Sequence, residues 1–135
     1  SLDSQPEKDF FTQYYTIYQN ANEYPALIPQ VYLHYDPHAR TWRGSNVVYT
    51  HQRMDFLMLL PNGIRVVIEI DGKQHYSEGD ISSPKLYAEM MVDTRKLQLK
   101  GYEVYRFGGY EFMDSQQMKQ TVRDFFEMLF KKYSI

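Results

Sequence analysis

The chain has 135 residues, and its content of 43% hydrophobic and 24% charged residues is typical of one globular domain rather than a disordered segment. With a formal net charge of −2 it lacks the overall basic character of many nucleic-acid-binding proteins, so any such role would depend on a local site. The absence of cysteine excludes disulfides and thiolate metal sites and fits a reducing compartment. No apolar run approaches the length of a membrane span and no signal-peptide pattern is present, so we expect a cytoplasmic protein that does not enter a membrane.

A single domain is expected to cover residues 1–135. Because the chain begins at Ser1 rather than at methionine, we expect this domain to be excised from a longer protein with additional domains. The sequence does not specify the oligomeric state, and a homodimer is one of the states compatible with it.

The first predicted element is a helix from Pro6 to about Asn20. Aromatic and aliphatic side chains recur there at helical spacing, and Pro6 suits the first turn of a helix. Glu7 lies in that first turn, where an acidic side chain interacts favourably with the helix dipole.

Residues 20–29 are predicted to be irregular, because Pro25 and Pro29 both interrupt a helix. Residues 30–35 alternate between apolar and polar side chains well enough to predict a first strand. Residues 36–46 then form a predicted polar loop.

The next two strands are predicted to form a hairpin around Pro61, Asn62 and Gly63. These residues suit a three-residue loop, a type I turn followed by a left-handed residue, because proline presets the first position and glycine accepts a positive φ at the third. Leu60 then faces Ile64 across the end of the hairpin.

The loop length fixes the register, because each later pair of opposed residues keeps the same sum of residue numbers while side chains alternate between the two faces. One face is then wholly apolar and belongs to the core, with the pairs Met58–Val66, Phe56–Ile68 and Met54–Ile70. The opposite face carries the pairs Leu57–Val67, Asp55–Glu69 and Arg53–Asp71. A two-residue loop at Asn62 and Gly63 would shift this register by one residue and turn the acids to opposite faces.

The pair of Asp55 and Glu69 would bring like charges together, since directly opposed side chains have Cβ atoms about 4.5–5.5 Å apart. A divalent cation or a shared proton would offset the repulsion, and Mg²⁺, which prefers oxygen ligands, is the simplest choice. Glu69 also lies within the apolar run from Val66 to Ile70, where a buried carboxylate needs a partner. Asp71 ends its strand before a glycine, and a pair with Arg53 is its ordinary structural alternative.

After a polar loop over residues 73–84, the periodicity of residues 85–100 predicts an amphipathic helix that Gly101 caps. Residues 102–107 read as the next strand. A helical crossover between consecutive strands makes them parallel or nearly so, and we expect this strand to lie beside the second strand of the hairpin.

A final helix is predicted from Asp114 or Ser115, either of which suits the N-cap, to about Lys132. The predicted order is helix, three strands, helix, strand and helix. We therefore expect an α/β domain whose mixed central β-sheet is flanked by helices on both faces.

The pattern of acidic, basic and polar residues also resembles the motifs of a known family. The pattern is an aspartate on one hairpin strand, a glutamate on the next, and then the runs Glu69-Ile70-Asp71-Gly72-Lys73-Gln74-His75, Asp93-Thr94-Arg95, Gly101-Tyr102 and Val104-Tyr105-Arg106-Phe107. This pattern covers about residues 52–107 and resembles the restriction-endonuclease-like superfamily, the PD-(D/E)XK nucleases. Within it, the E-x-D-G-x-x-H run looks like the branch related to very-short-patch-repair endonucleases.

The resemblance implies a restriction-endonuclease-like fold and a metal-dependent phosphodiesterase that cleaves DNA, with RNA the less favoured substrate. A water activated by Mg²⁺, with Mn²⁺ as a substitute, would attack a backbone phosphate. By the same resemblance, Asp55 and Glu69 match the metal-binding acids of the family. Asp71 occupies the position where the superfamily usually has a lysine, so the resemblance does not identify the residue that would activate the water.

Four residues are candidates for that missing function by the resemblance and their proximity in the chain. Lys73, Gln74 and His75 follow the strand directly, and Lys96 could reach the site from the helix. Gln74 could orient a water, and His75 could act as a base or a third ligand near neutral pH.

Three further residues are implied as accessory groups. Asp93 and Arg106 would pair across helix and strand to brace the site, although a plain salt bridge is an equal alternative. Glu7 matches the place where many relatives carry an accessory acid, and its alternative role is that of a helix N-terminal charge.

Two other functional classes remain open at this point. One is a catalytically impaired module that keeps the nuclease fold and binds nucleic acid or protein without cleavage, which the missing lysine and the negative net charge favour. The other is a glycosidase that uses the two carboxylates, for which nothing else in the sequence argues.

Overall fold

The computed structural model describes residues 4–19, 22–33, 52–71, 77–78 and 81–135. In chain order its elements are helix α1 (Gln5–Ile17), strands β1 (Leu27–Leu33), β2 (Gln52–Leu59), β3 (Arg65–Asp71), β4 (Ser77–Glu78) and β5 (Ile81–Ser82), helix α2 (Pro84–Leu99), strand β6 (Tyr102–Gly108) and helix α3 (Ser115–Lys132), with short 3-10 turns at Pro61–Gly63 and Gly109–Phe112. Within these residues, none of the helices combines the length and apolar character needed to cross a membrane.

Four strands form the main sheet in the order β1-β2-β3-β6. The pairs β1–β2 and β2–β3 are antiparallel, whereas β3 and β6 are parallel neighbours joined through α2. Strands β4 and β5 pair separately as a small antiparallel ribbon. The predicted α/β class with a mixed sheet and a helical crossover is confirmed.

The predicted register of the β2–β3 hairpin is also confirmed. Leu59 pairs with Arg65, and the later pairs keep the same sum of residue numbers. The Leu60 amide donates to the Ile64 carbonyl at 2.8 Å, so the loop has three residues and the alternative register is excluded.

The turn itself departs from the predicted type I geometry. Asn62 has φ 66° and Gly63 has φ 75°, so both residues are left-handed, and not Gly63 alone. Asparagine is one of the few non-glycine residues that adopts this conformation at low cost, which is why the loop keeps its length with a different backbone path.

Strand β1 begins at Leu27, three residues before the predicted start, and it includes Pro29. Pro29 pairs with Phe56, whose own backbone groups form the ladder with Ile68 on β3. Since hydrogen-bonded and non-bonded pairs alternate along antiparallel strands, the ring nitrogen of Pro29 points away from β2 and no ladder bond is lost. The prediction of an irregular segment was therefore wrong for residues 27–29, whereas it is confirmed for residues 22–26.

Helices cover both faces of the sheet. On one face, α1 and α3 enclose an aromatic core in which the Phe10 ring centroid lies 5.4 Å from those of Phe56 and Phe107 and 5.5 Å from that of Phe126. On the other face, Leu97 of α2 packs on Val67. The helices begin at the N-caps Ser4, Ser83 and Asp114, each of which accepts a hydrogen bond from a backbone amide in the first turn.

Met54 lies on the face opposite to the predicted one. It packs with Val31, Val67 and Leu97, whereas Phe56 belongs to the aromatic core. Between these two positions the β1–β2 ladder lacks the pair of Gln30 and Asp55, and the alternation of side chains along β2 is interrupted there.

Two methionines provide a test of this core assignment. Met58 is fully buried and Met128 is 72% exposed on α3. Met58→Ala should lower the free energy of unfolding by about 2–5 kcal/mol, because it leaves a cavity between the sheet and the helices. Met128→Ala should change it by no more than about 0.5 kcal/mol. Urea denaturation followed by circular dichroism compares the two, and equal effects would contradict the arrangement of the core.

Candidate functional site

Four buried carboxylic acids cluster at one end of the sheet. Asp55 is 4% exposed near the start of β2, and Glu69 and Asp71 are 7% and 5% exposed at the end of β3. Glu7, from the first turn of α1, is equally buried. Because β3 and β6 are parallel, this is the edge at which their carboxyl ends meet, a common location for sites in α/β domains.

Asp55 and Glu69 are in direct contact, as the sequence predicted. The Asp55 amide donates to Glu69 Oε2 at 3.2 Å. The other Asp55 oxygen, Oδ2, accepts from the Ile70 amide at 2.9 Å. In a continued ladder that amide would instead donate to the Met54 carbonyl, so the Asp55 carboxylate takes the place of a backbone acceptor between the strands.

The neighbouring strand explains this placement. The β1–β2 register passes from the pair Pro29–Phe56 to the pair Val31–Met54 and omits Gln30 opposite Asp55. Gln30 has φ 51°, a left-handed conformation that is unusual for a residue other than glycine. The register is the same on both sides of this gap, so no residue is inserted, and the Asp55 side chain points toward β3, where its Oδ2 accepts from the Ile70 amide.

Burial, followed by the nearby charge of Asp55, raises the pKa of Glu69 from its ordinary value of 4.5 to about 9, against the opposing effects of the Asp55 amide and the Arg106 charge. Glu69 therefore keeps its proton at neutral pH. This is one of the two ways in which the opposed acids could be accommodated, the other being a divalent cation.

Arg53 connects this pair to α1. Its Nη2 lies 3.1 Å from Asp55 Oδ1 and 3.8 Å from Glu7 Oε1. The other oxygen of Glu7 accepts a hydrogen bond from the hydroxyl of Ser4, the N-cap residue, at 2.8 Å. The structure thus places Glu7, predicted as an accessory acid, beside the site and in contact with an arginine.

Arg106 on β6 braces the opposite side of the site. Its guanidinium donates to Asp71 Oδ1 at 2.8 Å, to Thr94 Oγ1 at 2.5 Å and to the Met90 carbonyl at 3.3 Å. Asp93 was predicted as the acid that pairs with Arg106, but the acid whose contact with it the structure describes is Asp71. This salt bridge accounts for an aspartate at the position where a lysine was expected.

The remaining predicted residues are not brought to these carboxylates in the part of the chain that is described. Lys73, Gln74 and His75 lie outside the described residues. Asp93 and Lys96 are exposed on α2.

Sequence reasoning missed the roles of Arg53 and Thr94. Arg53 was noted only as the residue opposite Asp71 in the hairpin register. Thr94 was noted only as part of a motif. Both residues are present in the sequence, but the contacts of Arg53 with Glu7 and of Thr94 with Arg106 depend on how α1 and α2 pack beside the sheet.

The donor set fits a hard divalent cation. Asp55 and Glu69 offer buried carboxylate oxygens in neighbouring positions, and a cation in place of the proton would relieve the repulsion that contributes to the raised pKa of Glu69. Among the described residues, no group of three or more His, Asp or Glu side chains is arranged to hold a metal ion. Mg²⁺ commonly binds through one or two carboxylates and completes its shell with water and phosphate oxygens, so two acids suffice.

Comparisons of the chain with protein-family models, with curated protein sequences and with solved structures found no match. The likeness to PD-(D/E)XK nucleases therefore stays a prediction that depends on the motif residues and their geometry.

The raised pKa of Glu69 predicts a pH dependence of stability in metal-free protein. The folded state retains a proton that the unfolded state releases near pH 4.5, so stability is complete below that pH and falls as the pH rises toward about 9. Urea denaturation in EDTA should show a declining free energy of unfolding with a slope of up to about 1.4 kcal/mol per pH unit.

Glu69→Gln should flatten this decline, whereas the exposed Glu89→Gln should preserve it. The same decline in Glu69→Gln as in the wild type would show that another group titrates.

A lysine at position 71, which the resemblance leads us to expect, should destabilise this chain. Asp71→Lys would place a second cation against Arg106 in a buried position, and we expect it to lower the free energy of unfolding by about 3–5 kcal/mol. Asp71→Asn should cost less, because its amide oxygen can still accept from Arg106. Thermal and urea unfolding measure both variants, and an Asp71→Lys protein as stable as the wild type would refute the bracing role.

Proposed function

We propose that this chain is a metal-dependent phosphodiesterase of the PD-(D/E)XK type that cleaves DNA. The main support for this proposal is the contact between the buried residues Asp55 and Glu69. A pair of buried acids, one of which keeps its proton to an unusually high pH, is costly for folding and suited to binding a divalent cation. The α/β architecture, with the acids on a hairpin and on the strand that leads into the crossover, agrees with the fold that the motif implies.

In this proposal Asp55 and Glu69 would hold Mg²⁺ or Mn²⁺. The bound ion would lower the pKa of a water molecule and neutralise charge that develops on the phosphate during hydrolysis. The chain contributes the orientation: the Ile70 amide and Arg53 fix the two oxygens of Asp55, and the Asp55 amide fixes Glu69. All of these contacts come from strands β2 and β3, so the acids are positioned by the most rigid part of the fold.

Asp71 does not take the place of the usual lysine in this scheme. It is an acid held by Arg106, and its role is to fix the end of β3 against β6. Lys73, Gln74 and His75 directly follow β3 in the sequence and remain the proposed candidates for positioning the attacking water.

One observation favours a second function, a non-cleaving module that binds nucleic acid or protein. Asp71 and Arg106 form a satisfied salt bridge at the position of the usual lysine, so this part of the site is built for structure. A glycosidase is disfavoured by the geometry. Retaining glycosidases need two carboxyl groups about 5–5.5 Å apart that a sugar can reach, whereas Asp55 and Glu69 are only 4% and 7% exposed.

A cleavage assay tests the proposal. The protein is incubated with linear, nicked, mismatched and branched DNA in Mg²⁺ or Mn²⁺, and we expect cleavage of at least one substrate. Glu69→Ala should reduce the rate by about 100-fold or more, because it removes a metal ligand. The exposed Glu89→Ala on α2 serves as the matched control and should leave the rate unchanged. Equal background rates for the wild type and Glu69→Ala would refute the enzyme.

Calorimetric titration with Mn²⁺ separates the enzyme from the binding module. Wild-type protein and the exposed-site control Asp124→Asn should bind the ion, and Asp55→Asn should lose most of the binding heat. A folded wild-type protein that binds DNA but no divalent cation would instead support the module.

A further inference from the structure

We propose that Arg53 supplies the cation that contacts the substrate phosphate, and that Glu7 holds Arg53 in place for this task. The inference rests on the proposed phosphodiesterase function. It assigns to Arg53 the positive charge that the superfamily usually obtains from a lysine at the position of Asp71.

Arg53 lies directly beside the carboxylate pair. Its Nη2 lies 3.1 Å from Asp55 Oδ1, so a guanidinium already lies against the carboxylate pair. Guanidinium groups are planar, permanently charged and shaped for two parallel hydrogen bonds to a phosphate. No rearrangement of the backbone is needed to bring a cation to this side of the acids.

The side chain of Arg53 is more exposed to solvent than the acids it contacts. The side chain of Arg53 is 28% exposed, while those of Asp55 and Glu7 are 6% and 5% exposed. Arg53 is therefore the most exposed of these three contacting side chains, and the one most accessible to an anionic ligand.

Arg106, the other arginine near the pair, is engaged differently. It donates from Nε, Nη1 and Nη2 to three separate protein acceptors on β3 and α2. A guanidinium held at all three nitrogens braces the strands. Arg53 is the one of these two arginines that contacts the Asp55 carboxylate, so the ligand-binding role is assigned to Arg53.

Glu7 explains how Arg53 would stay at the site. A divalent cation bound by Asp55 would weaken the attraction between that carboxylate and Arg53, because like charges repel at this distance. Glu7 Oε1 lies 3.8 Å from the same Nη2, and Ser4 fixes its other oxygen. Glu7 is thus a positioning residue for Arg53 in this proposal.

Binding to a short fluorescein-labelled DNA duplex in Ca²⁺ tests the role of Arg53, with the integrity of the duplex checked by electrophoresis. Arg53→Gln keeps an amide donor for Asp55 but removes the charge. We expect it to weaken binding about tenfold and to reduce the slope of log K against log salt by about 1, as the loss of one phosphate contact does. Arg53→Lys should recover most of the slope, because it retains the charge.

Arg65→Gln is the matched control. Arg65 lies at the opposite end of β3, where it stacks over the Tyr102 ring and donates to the Lys100 carbonyl. It should leave the salt slope and the affinity unchanged, which separates a phosphate contact from a general loss of positive charge.

A second readout does not involve DNA. Removing the charge beside Asp55 should strengthen the binding of Mn²⁺ alone in Arg53→Gln, measured by calorimetry, whereas a merely structural arginine would leave it unchanged or weaken it. Glu7→Gln should reduce DNA binding less than Arg53→Gln and should not lower the salt slope by a full unit.

The outcomes separate this inference from the function it rests on. A wild-type protein that binds neither Mn²⁺ nor the duplex overturns both. A wild-type protein that binds both, with an Arg53→Gln variant that keeps the wild-type salt slope and Mn²⁺ affinity, overturns the role of Arg53 alone.

Discussion

The interruption of strand pairing at Asp55 is the constraint on which the rest of the site depends. Gln30 adopts a left-handed conformation opposite Asp55, and the β1–β2 ladder omits this pair. The Asp55 carboxylate then accepts the Ile70 amide, and its own amide turns to Glu69. A regular ladder would keep the two acids parallel to each other and perpendicular to the sheet. Where the ladder is irregular, Asp55 instead accepts from the Ile70 amide, its own amide donates to Glu69, and Met54 packs on the opposite face of the sheet.

Charge balance links this local geometry to metal binding. The described part of the site holds four buried or half-buried acids and arginine partners from two strands, namely Glu7, Asp55, Glu69 and Asp71 with Arg53 and Arg106. By formal charge, the proton that Glu69 keeps leaves this cluster with one negative charge. A divalent cation that displaces the proton leaves it neutral. The two arginines reduce the excess of negative charge among these described residues without removing it, which supports the divalent cation of the proposed function.

Much of this arrangement follows from local sequence rules, and the rest depends on long-range packing. The loop of Pro61 to Gly63 fixes the hairpin register, and the register alone places Asp55 near Glu69. The face of Met54 could not be predicted, because it depends on Gln30 in a strand that is distant in sequence. The salt bridge of Asp71 with Arg106 was missed for the same reason, since it forms only when β6 lies parallel to β3. Turn chemistry acts over a few residues, whereas an interrupted ladder or a bracing arginine reflects contacts between elements.

The energetic cost of the carboxyl pair bears on the choice between an enzyme and a non-cleaving module. Strand β3 is buried along almost its whole length, and apolar residues at positions 55 and 69 would pack there without any desolvation penalty. A domain that only had to fold and present a surface would have no use for a carboxyl group whose pKa is raised to about 9. Arg53 and Glu7 add to this cost, since they bring further charges from β2 and α1 to the same place. Local rules for a stable core are broken at one edge of the sheet and obeyed elsewhere, which is the pattern expected where stability is given up for the binding of a cation and its substrate.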